Sequence, residues 1–157
     1  LVALAREQDQ ELRAFLRGAP DAAGERSNSS VLGAVEALTP VLARVEARHD
    51  VAVRLVVVDP GGATGRGAEA LAGATGEAVT NAARHSGADT VWVSVDRHEP
   101  GGTVVVIHDE GVGFDPATTA EGDGWTRSVR ARLDDVGGGA DLRSSPGTGC
   151  DVTLWAP

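Results

Sequence analysis

Two β-branched runs in the middle of the chain, TVWVSVDRH at 90–98 and TVVVIHDE at 103–110, are separated only by Glu99-Pro100-Gly101-Gly102. A join that short and that rich in turn formers doubles the chain back on itself, so the two runs are read as an antiparallel hairpin. Parallel strands need a crossover of about a dozen residues or more. This feature therefore removes the doubly wound folds in which strand and helix alternate throughout. The rest of the pattern is arranged around the hairpin. VAVRLVVV at 51–58 reads as a strand closed by Asp59-Pro60-Gly61-Gly62, and it lies between helices predicted at about 31–48 and about 67–85. The first of these carries Val31, Val35, Leu38, Leu42 and Val45 on one stripe, with Pro40 predicted to kink it or break its start. A glycine-rich loop from about 111 to 124 leads into a helix ending near 136, and strands at 140–145 and 150–156 flank Pro146-Gly147-Thr148-Gly149. The order helix–strand–helix–strand–strand–loop–helix–strand–strand predicts an α/β (α+β) two-layer sandwich. Its sheet should be mixed and largely antiparallel, with the helices on one face.

Ahead of this unit, residues 1–17 have helical apolar spacing (Leu1, Leu4, Ala5, Leu12, Phe15, Leu16), stopped by Gly18 and Pro20. The small, polar stretch that follows reads as a linker. The expected organisation is therefore a helix end at 1–18, a linker at 19–30 and one domain at 31–157. With aromatics at 3% and neither Tyr nor Met, the core must be built from Val, Leu and Ala. A net charge of −9 gives no basic footprint for direct nucleic-acid binding. The single Cys150 excludes an internal disulfide framework and a cysteine-based zinc site, as in a reducing cytoplasm, where this domain is expected to reside. No stretch approaches the length of a membrane span. Because residue 1 is Leu rather than Met, the chain is expected to be part of a longer protein, so that any membrane anchor lies in segments outside it.

Four constellations carry possible chemistry. Glu77, Asn81 and His85 stand four apart on the helix at 67–85 and project as a column, beside an apolar stripe of Leu71, Ala74, Ala78 and Ala82. Oxygen ligands so placed suit Mg²⁺, which binds through one or two side chains plus phosphates and water. Taken alone, the triplet is more simply a solvated polar face. Asp109-Glu110-Gly111-Val112-Gly113 follows an apolar strand, where a carboxylate can accept a hydrogen bond from a purine amine and glycines leave room for a flat ring; an Asp-Gly turn is the plain alternative. Gly122-Asp123-Gly124 is read as opening a helix, where free N–H groups bind phosphate and Arg127 and Arg130 add charge. Ser145-Pro146-Gly147-Thr148-Gly149 is by itself adequately explained as a hairpin turn.

In order and spacing, the four together resemble the ATP-binding family that joins histidine kinases, DNA gyrase, mismatch-repair ATPases and the large heat-shock chaperone. Glu77 to His85 match its N box, Asp109 to Gly113 its first glycine box, Gly122 to Gly124 the second and Gly147 to Gly149 the third. The resemblance implies ATP and Mg²⁺ as ligands. It makes Asn81 the metal residue, Asp109 the adenine selector and Glu77 a base or water-orienting residue, with His85 near the phosphates. Gly111, Gly113, Gly122, Gly124, Arg127, Gly147, Thr148 and Gly149 would then line the nucleotide. Residues 1–17 look like the end of a dimerisation helix in sensor histidine kinases that signal to nitrate-response-type regulators. GDGWTRSVRARLDDVGG resembles actinobacterial members. That resemblance implies phosphoryl transfer to a histidine on a dimerisation domain and onward to a response regulator, with the acceptor histidine upstream of this chain. An anti-sigma-factor-type serine kinase and a degenerate nucleotide-binding module are the alternatives. The departures are Gly76 before Glu77, Trp125 in place of an aliphatic residue, Cys150 where Thr or Ser is usual, and a short segment between Asp115 and Gly122. Gly73 and Gly76 each weaken their helix by roughly 1 kcal/mol relative to Ala.

Overall fold

A computed structural model of the chain describes residues 33–157; the helix and linker expected at 1–30 lie outside the described residues. The elements run α1 (Ala34–Arg48), β1 (Ala52–Val57), α2 (Gly65–His85), β2 (Thr90–His98), β3 (Gly102–Asp109), α3 (Ala120–Asp134), β4 (Gly139–Ser144) and β5 (Cys150–Ala156). The strands form one sheet in the order β1-β2-β3-β5-β4. Only the β1–β2 pair is parallel, joined by the crossover through α2, and the hairpin β2–β3 is antiparallel as its short connection requires. The result is the expected mixed, largely antiparallel sheet with helices on one face. Helix α1 runs through Pro40 without interruption as a single helix. Of its predicted stripe, Leu38, Leu42 and Val45 are buried, Val35 is half-buried and Val31 lies outside the described residues, while Ala34 joins the buried set.

Alternation along each strand divides the sheet into rows. Val57, Val95, Val105, Leu154 and Ala140 share one row on the helix side, and Leu55, Val93, Ile107, Val152 and Leu142 share the next. Valine at the centre of these rows is covered, with Val95 and Val105 at 0% and Val93 at 1% exposure. The third row begins with Val53 and Val91 and then turns polar, through Asp109, Cys150 and Ser144. The sheet therefore changes from a hydrophobic wall to a polar edge from one row to the next.

Helix α2 packs on this wall, with α1 on one side of it and α3 on the other. Its predicted stripe Leu71, Ala74, Ala78 and Ala82 is buried. Gly76 is buried as well, and it serves the contact with α1: a Cβ there would lie 2.5 Å from Val41 Cγ1. The propensity cost expected from the sequence thus secures a close helix–helix approach. One polar group is left over. The hydroxyl of Thr75, at 0% exposure, has no hydrogen-bond partner among the described residues.

Two stability predictions follow from these contacts. Gly76→Ala gains roughly 1 kcal/mol of helix propensity but must displace a stiff β-branched side chain, at a typical cost of about 1–3 kcal/mol. Chemical denaturation should show a net loss of about 1 kcal/mol, and a gain would mean that α1 gives way freely. Thr75→Val keeps the shape and removes an unpaired buried hydroxyl, so it should stabilise the fold by about 1 kcal/mol. A lowered denaturation midpoint would reveal a partner for that hydroxyl.

Candidate functional site

The site stands where the polar row of the sheet meets the last two turns of α2. Asp109 is the final residue of β3 and only 4% exposed. Its Oδ1 accepts the Gly111 N–H at 2.9 Å, which fixes the carboxylate across the turn that follows the strand. Burial pushes the Asp109 carboxyl above its ordinary value, opposed by that hydrogen bond and by the nearby His108. Cys150, its cross-strand partner, is pushed up to about 11, first by burial and then by the charge of Asp109. Its thiol is therefore neutral at neutral pH, a weak donor rather than a nucleophile.

The loop after Asp109 is locked to the turn between β4 and β5. Ser144 Oγ accepts the Phe114 N–H at 2.9 Å and donates to the Gly149 carbonyl at 2.8 Å, and the Gly147 N–H donates to the Val112 carbonyl at 2.7 Å. Gly113 and Gly149 have φ of +60° and +77°. A Cβ on Gly113 would overlap the Ser145 carbonyl oxygen, and one on Gly149 would overlap that of Asp109. No other residue fits either place. The same loop is tied to the end of α2 by the Val112 N–H, which donates to the Ser86 carbonyl at 2.8 Å.

These ties enclose a cavity of about 290 Å³, near the lower end of the usual range for small-molecule sites. Its apolar wall comes from Ile107, Leu142, Val152 and Ala82, and its polar groups from Asn81, His85, Asp109 and Thr119. The structure thus brings together Asn81, His85, Asp109 and Gly113 from the sequence-predicted set. Ser86, Thr119, Leu142, Cys150 and Val152 also line the cavity. Local sequence pattern did not reveal them as lining residues, although the alternation along β5 puts Cys150 and Val152 on the inner face. Other predicted residues stand apart from the cavity wall. Glu77 is part-buried outside it and faces Arg132 at 3.8 Å. Arg127 is exposed on α3. Gly111, Gly147 and Gly149 build the loops behind the wall, and the Thr148 hydroxyl donates to the Ser145 carbonyl within its own turn.

Gly122 and Gly124 were expected to precede a helix, but α3 begins at Ala120 and includes both. The physical reason is that propensity, roughly 1 kcal/mol per glycine, is outweighed by the packing of the helix through Val129 and Leu133, each at 0% exposure. Among the described residues no group of three or more His, Cys, Asp or Glu is placed to hold a metal, and no helix is long and apolar enough to cross a membrane.

Comparison with known proteins agrees with this geometry. Residues 66–157 match the model of the histidine kinase-, DNA gyrase B- and HSP90-like ATPase family. An uncharacterised sensor-like histidine kinase of Chloroflexus aurantiacus is 40% identical over 88 residues, covering 52% of this chain and 14% of that protein. A sensor histidine kinase of Bacillus subtilis, YdfH, is 29% identical over 84 residues, again covering 52% of this chain and 21% of its own length. The chain thus spans a small part of the curated relatives it matches. Among solved structures, the mycobacterial sensor histidine kinase MprB superposes with a TM-score of 0.63 at 21% identity, covering 80% of this chain and 95% of that one.

The raised Asp109 carboxyl makes a prediction about stability and pH. Below its unfolded value of 3.8 the group is protonated in both states and costs nothing. As pH rises through that value and past the higher folded one, the unfolded state ionises more readily and stability is lost. Asp109→Asn, which can still accept the Gly111 N–H, should therefore raise the thermal midpoint at pH 7. The gain should shrink steadily as the pH falls towards 3.8. An equal gain at all pH values would assign the effect to packing instead.

Proposed function

The chain belongs to the histidine kinase-, DNA gyrase B- and HSP90-like ATPase family, and from that premise we propose that it is the ATP-binding catalytic domain of a two-component sensor histidine kinase of the nitrate-response type. The observation that carries the reading is the placement of Asp109. A buried carboxylate at the edge of an apolar wall, facing Asn81 and His85 across one cavity, suits a ligand with a flat base at one end and charge at the other. The base stacks against Ile107, Leu142 and Val152, and its exocyclic amine donates to Asp109. The phosphates then extend towards Asn81, His85 and the start of α3 beside Thr119.

The donor set fits Mg²⁺ brought in with the nucleotide: Asn81 offers one amide oxygen, and the remaining positions go to phosphate oxygens and water. The metal would neutralise charge on the phosphates. Asn81 binds and orients, while the loops held by Ser144 keep the base end in place. Glu77 sits one turn before Asn81 and is the carboxylate assigned to take a proton or orient the attacking group. The γ-phosphoryl passes to a histidine on the dimerisation domain of the parent kinase, and then to an aspartate of a response regulator. Positioning and charge neutralisation account for most of such a reaction. The domain would work in the cytoplasm, with the parent protein anchored to a membrane only through other segments.

Calorimetric titration tests the reading directly. The chain should bind ATP and ADP saturably, and more tightly with Mg²⁺. Asp109→Asn should weaken binding by about tenfold or more, equivalent to about 1.4 kcal/mol. Asn81→Ala should remove the Mg²⁺ enhancement while leaving metal-free ADP binding close to unchanged. Nucleotide binding that ignores Asp109 would sink the proposed site.

A further inference from the structure

Outside the cavity, one side chain makes a contact that neither the fold nor the nucleotide site requires. Arg132, in the last turn of α3, reaches across α2 and places Nη1 3.8 Å from Glu77 Oε2. Glycine at residue 73 leaves room for it there. A Cβ there would lie 2.8 Å from Arg132 Nη1, 3.4 Å from its Cζ and 3.5 Å from its Cδ, so the guanidinium end would have to shift away from where it now stands. Gly73 is one helical turn before Glu77, and the root of Arg132 is fixed by Val129 and Leu133 on the same helix, both at 0% exposure.

A half-exposed ion pair of this kind adds little to stability, since its two side chains are 42% and 31% exposed. Arginine does, however, offer a planar, pre-organised fork whose charge is constant. Here the fork lies over Gly73 and springs from a helix pinned by Val129 and Leu133. Among the described residues, Glu77 has no other charged partner. Its carboxylate would otherwise sweep freely over the surface of α2.

We propose that Arg132 is a positioning residue for phosphoryl transfer, holding the Glu77 carboxylate through the notch at Gly73. The inference rests on the role given to Glu77 under the proposed function. In that reaction one nitrogen of the acceptor imidazole bonds to the γ-phosphorus as the bond to the ADP oxygen breaks. The proton on the other ring nitrogen, which points away from the nucleotide, leaves to water, and Glu77 orients the attacking ring. Arg132 touches neither nucleotide nor acceptor. It restricts where the carboxylate stands, and it ties that position to α3, the helix whose opposite end begins beside the cavity at Thr119.

The test uses the parent kinase with its acceptor histidine, γ-labelled ATP and nucleotide affinity measured in parallel. Arg132→Ala should slow phosphohistidine formation by roughly tenfold, and by up to the hundredfold that a misplacement of about 1 Å can cause. The ATP dissociation constant should stay within about a factor of two, the split expected of a group that acts only in the transition state. Arg132→Lys should restore part of the rate. Gly73→Ala should slow transfer while leaving the thermal midpoint equal or higher, because it fills the notch but improves the helix. The double variant Glu77→Gln with Arg132→Ala should be no slower than Glu77→Gln alone, because coupled residues do not add. If Glu77→Gln slows transfer and Arg132→Ala does not, or if the two effects add, the inference fails while the proposed function stands. If Glu77→Gln transfers at the wild-type rate, the role given to Glu77 falls, and Arg132 with it.

Discussion

Close approach to helix α2 is the constraint on which the other parts of the structure depend. Ala68, Leu71, Ala74, Ala78 and Ala82 let it lie against a wall of valines with almost no aromatic filling. Where its neighbours come nearest, α2 carries no side chain. Gly76 admits Val41 of α1, and Gly73 admits Arg132 of α3. Dispersion falls off steeply with separation, so a core of small residues coheres only if its elements touch closely. The same helix delivers Asn81 and His85 to the cavity. Packing and the cavity wall are thus set by one element, and an error in its position would be felt at both.

The sheet contributes the complementary half through its register. Two rows facing the helices are wholly apolar, and the next contains Asp109, Cys150 and Ser144 side by side. Each does a different job. Asp109 is an ionisable group held in a poorly solvated place, at a cost in folding stability that a nucleotide amine would offset. Cys150 remains a neutral thiol beside it. Ser144 hydrogen-bonds to both neighbouring loops and fixes their separation. Buried polar groups that are less stable than an apolar wall are common marks of a binding site.

The parts legible in the sequence were those set by local pattern. The strands β2 and β5 appear at the residues that alternation indicated, and the hairpin forced the mixed sheet. The buried stripes of α1 and α2 follow from helical spacing. Less legible were contacts between residues far apart in the chain. Gly73 and Gly76 looked like weak points of a helix. Their neighbours Arg132 and Val41 lie on other helices, and no local rule reveals them. Gly113 and Gly149 were expected to line nucleotide. In the structure both are required by the packing of two loops against each other, and only Gly113 also reaches the cavity. The start of α3 was misplaced for a related reason: glycine signals a loop locally, and the packing that keeps the helix intact comes from Val129 and Leu133 downstream.

The two ends of the cavity are consequently built in different ways. At the base end, two loops are joined through Ser144 and the Gly147 N–H, so Asp109 is held before any ligand arrives. A group held in advance loses little freedom on binding, and that end is suited to recognition. At the other end, α3 begins after Thr119, which makes no side-chain cap hydrogen bond, and two glycines lower its early propensity by roughly 1 kcal/mol each. The downstream part of the same helix is pinned by fully buried residues. Resistance to reshaping is therefore graded along α3, lowest where phosphates would arrive and highest next to Arg132. Under the proposed function, a nucleotide would reshape the weak end at small cost while the pinned end keeps Arg132 beside Glu77. On the same reading, recognition and chemistry would draw on separate anchors, Asp109 with its locked loops and Arg132 beside Glu77. Both the loop after Asp109 and Arg132 meet α2, the former at its end through Ser86 and the latter at Gly73.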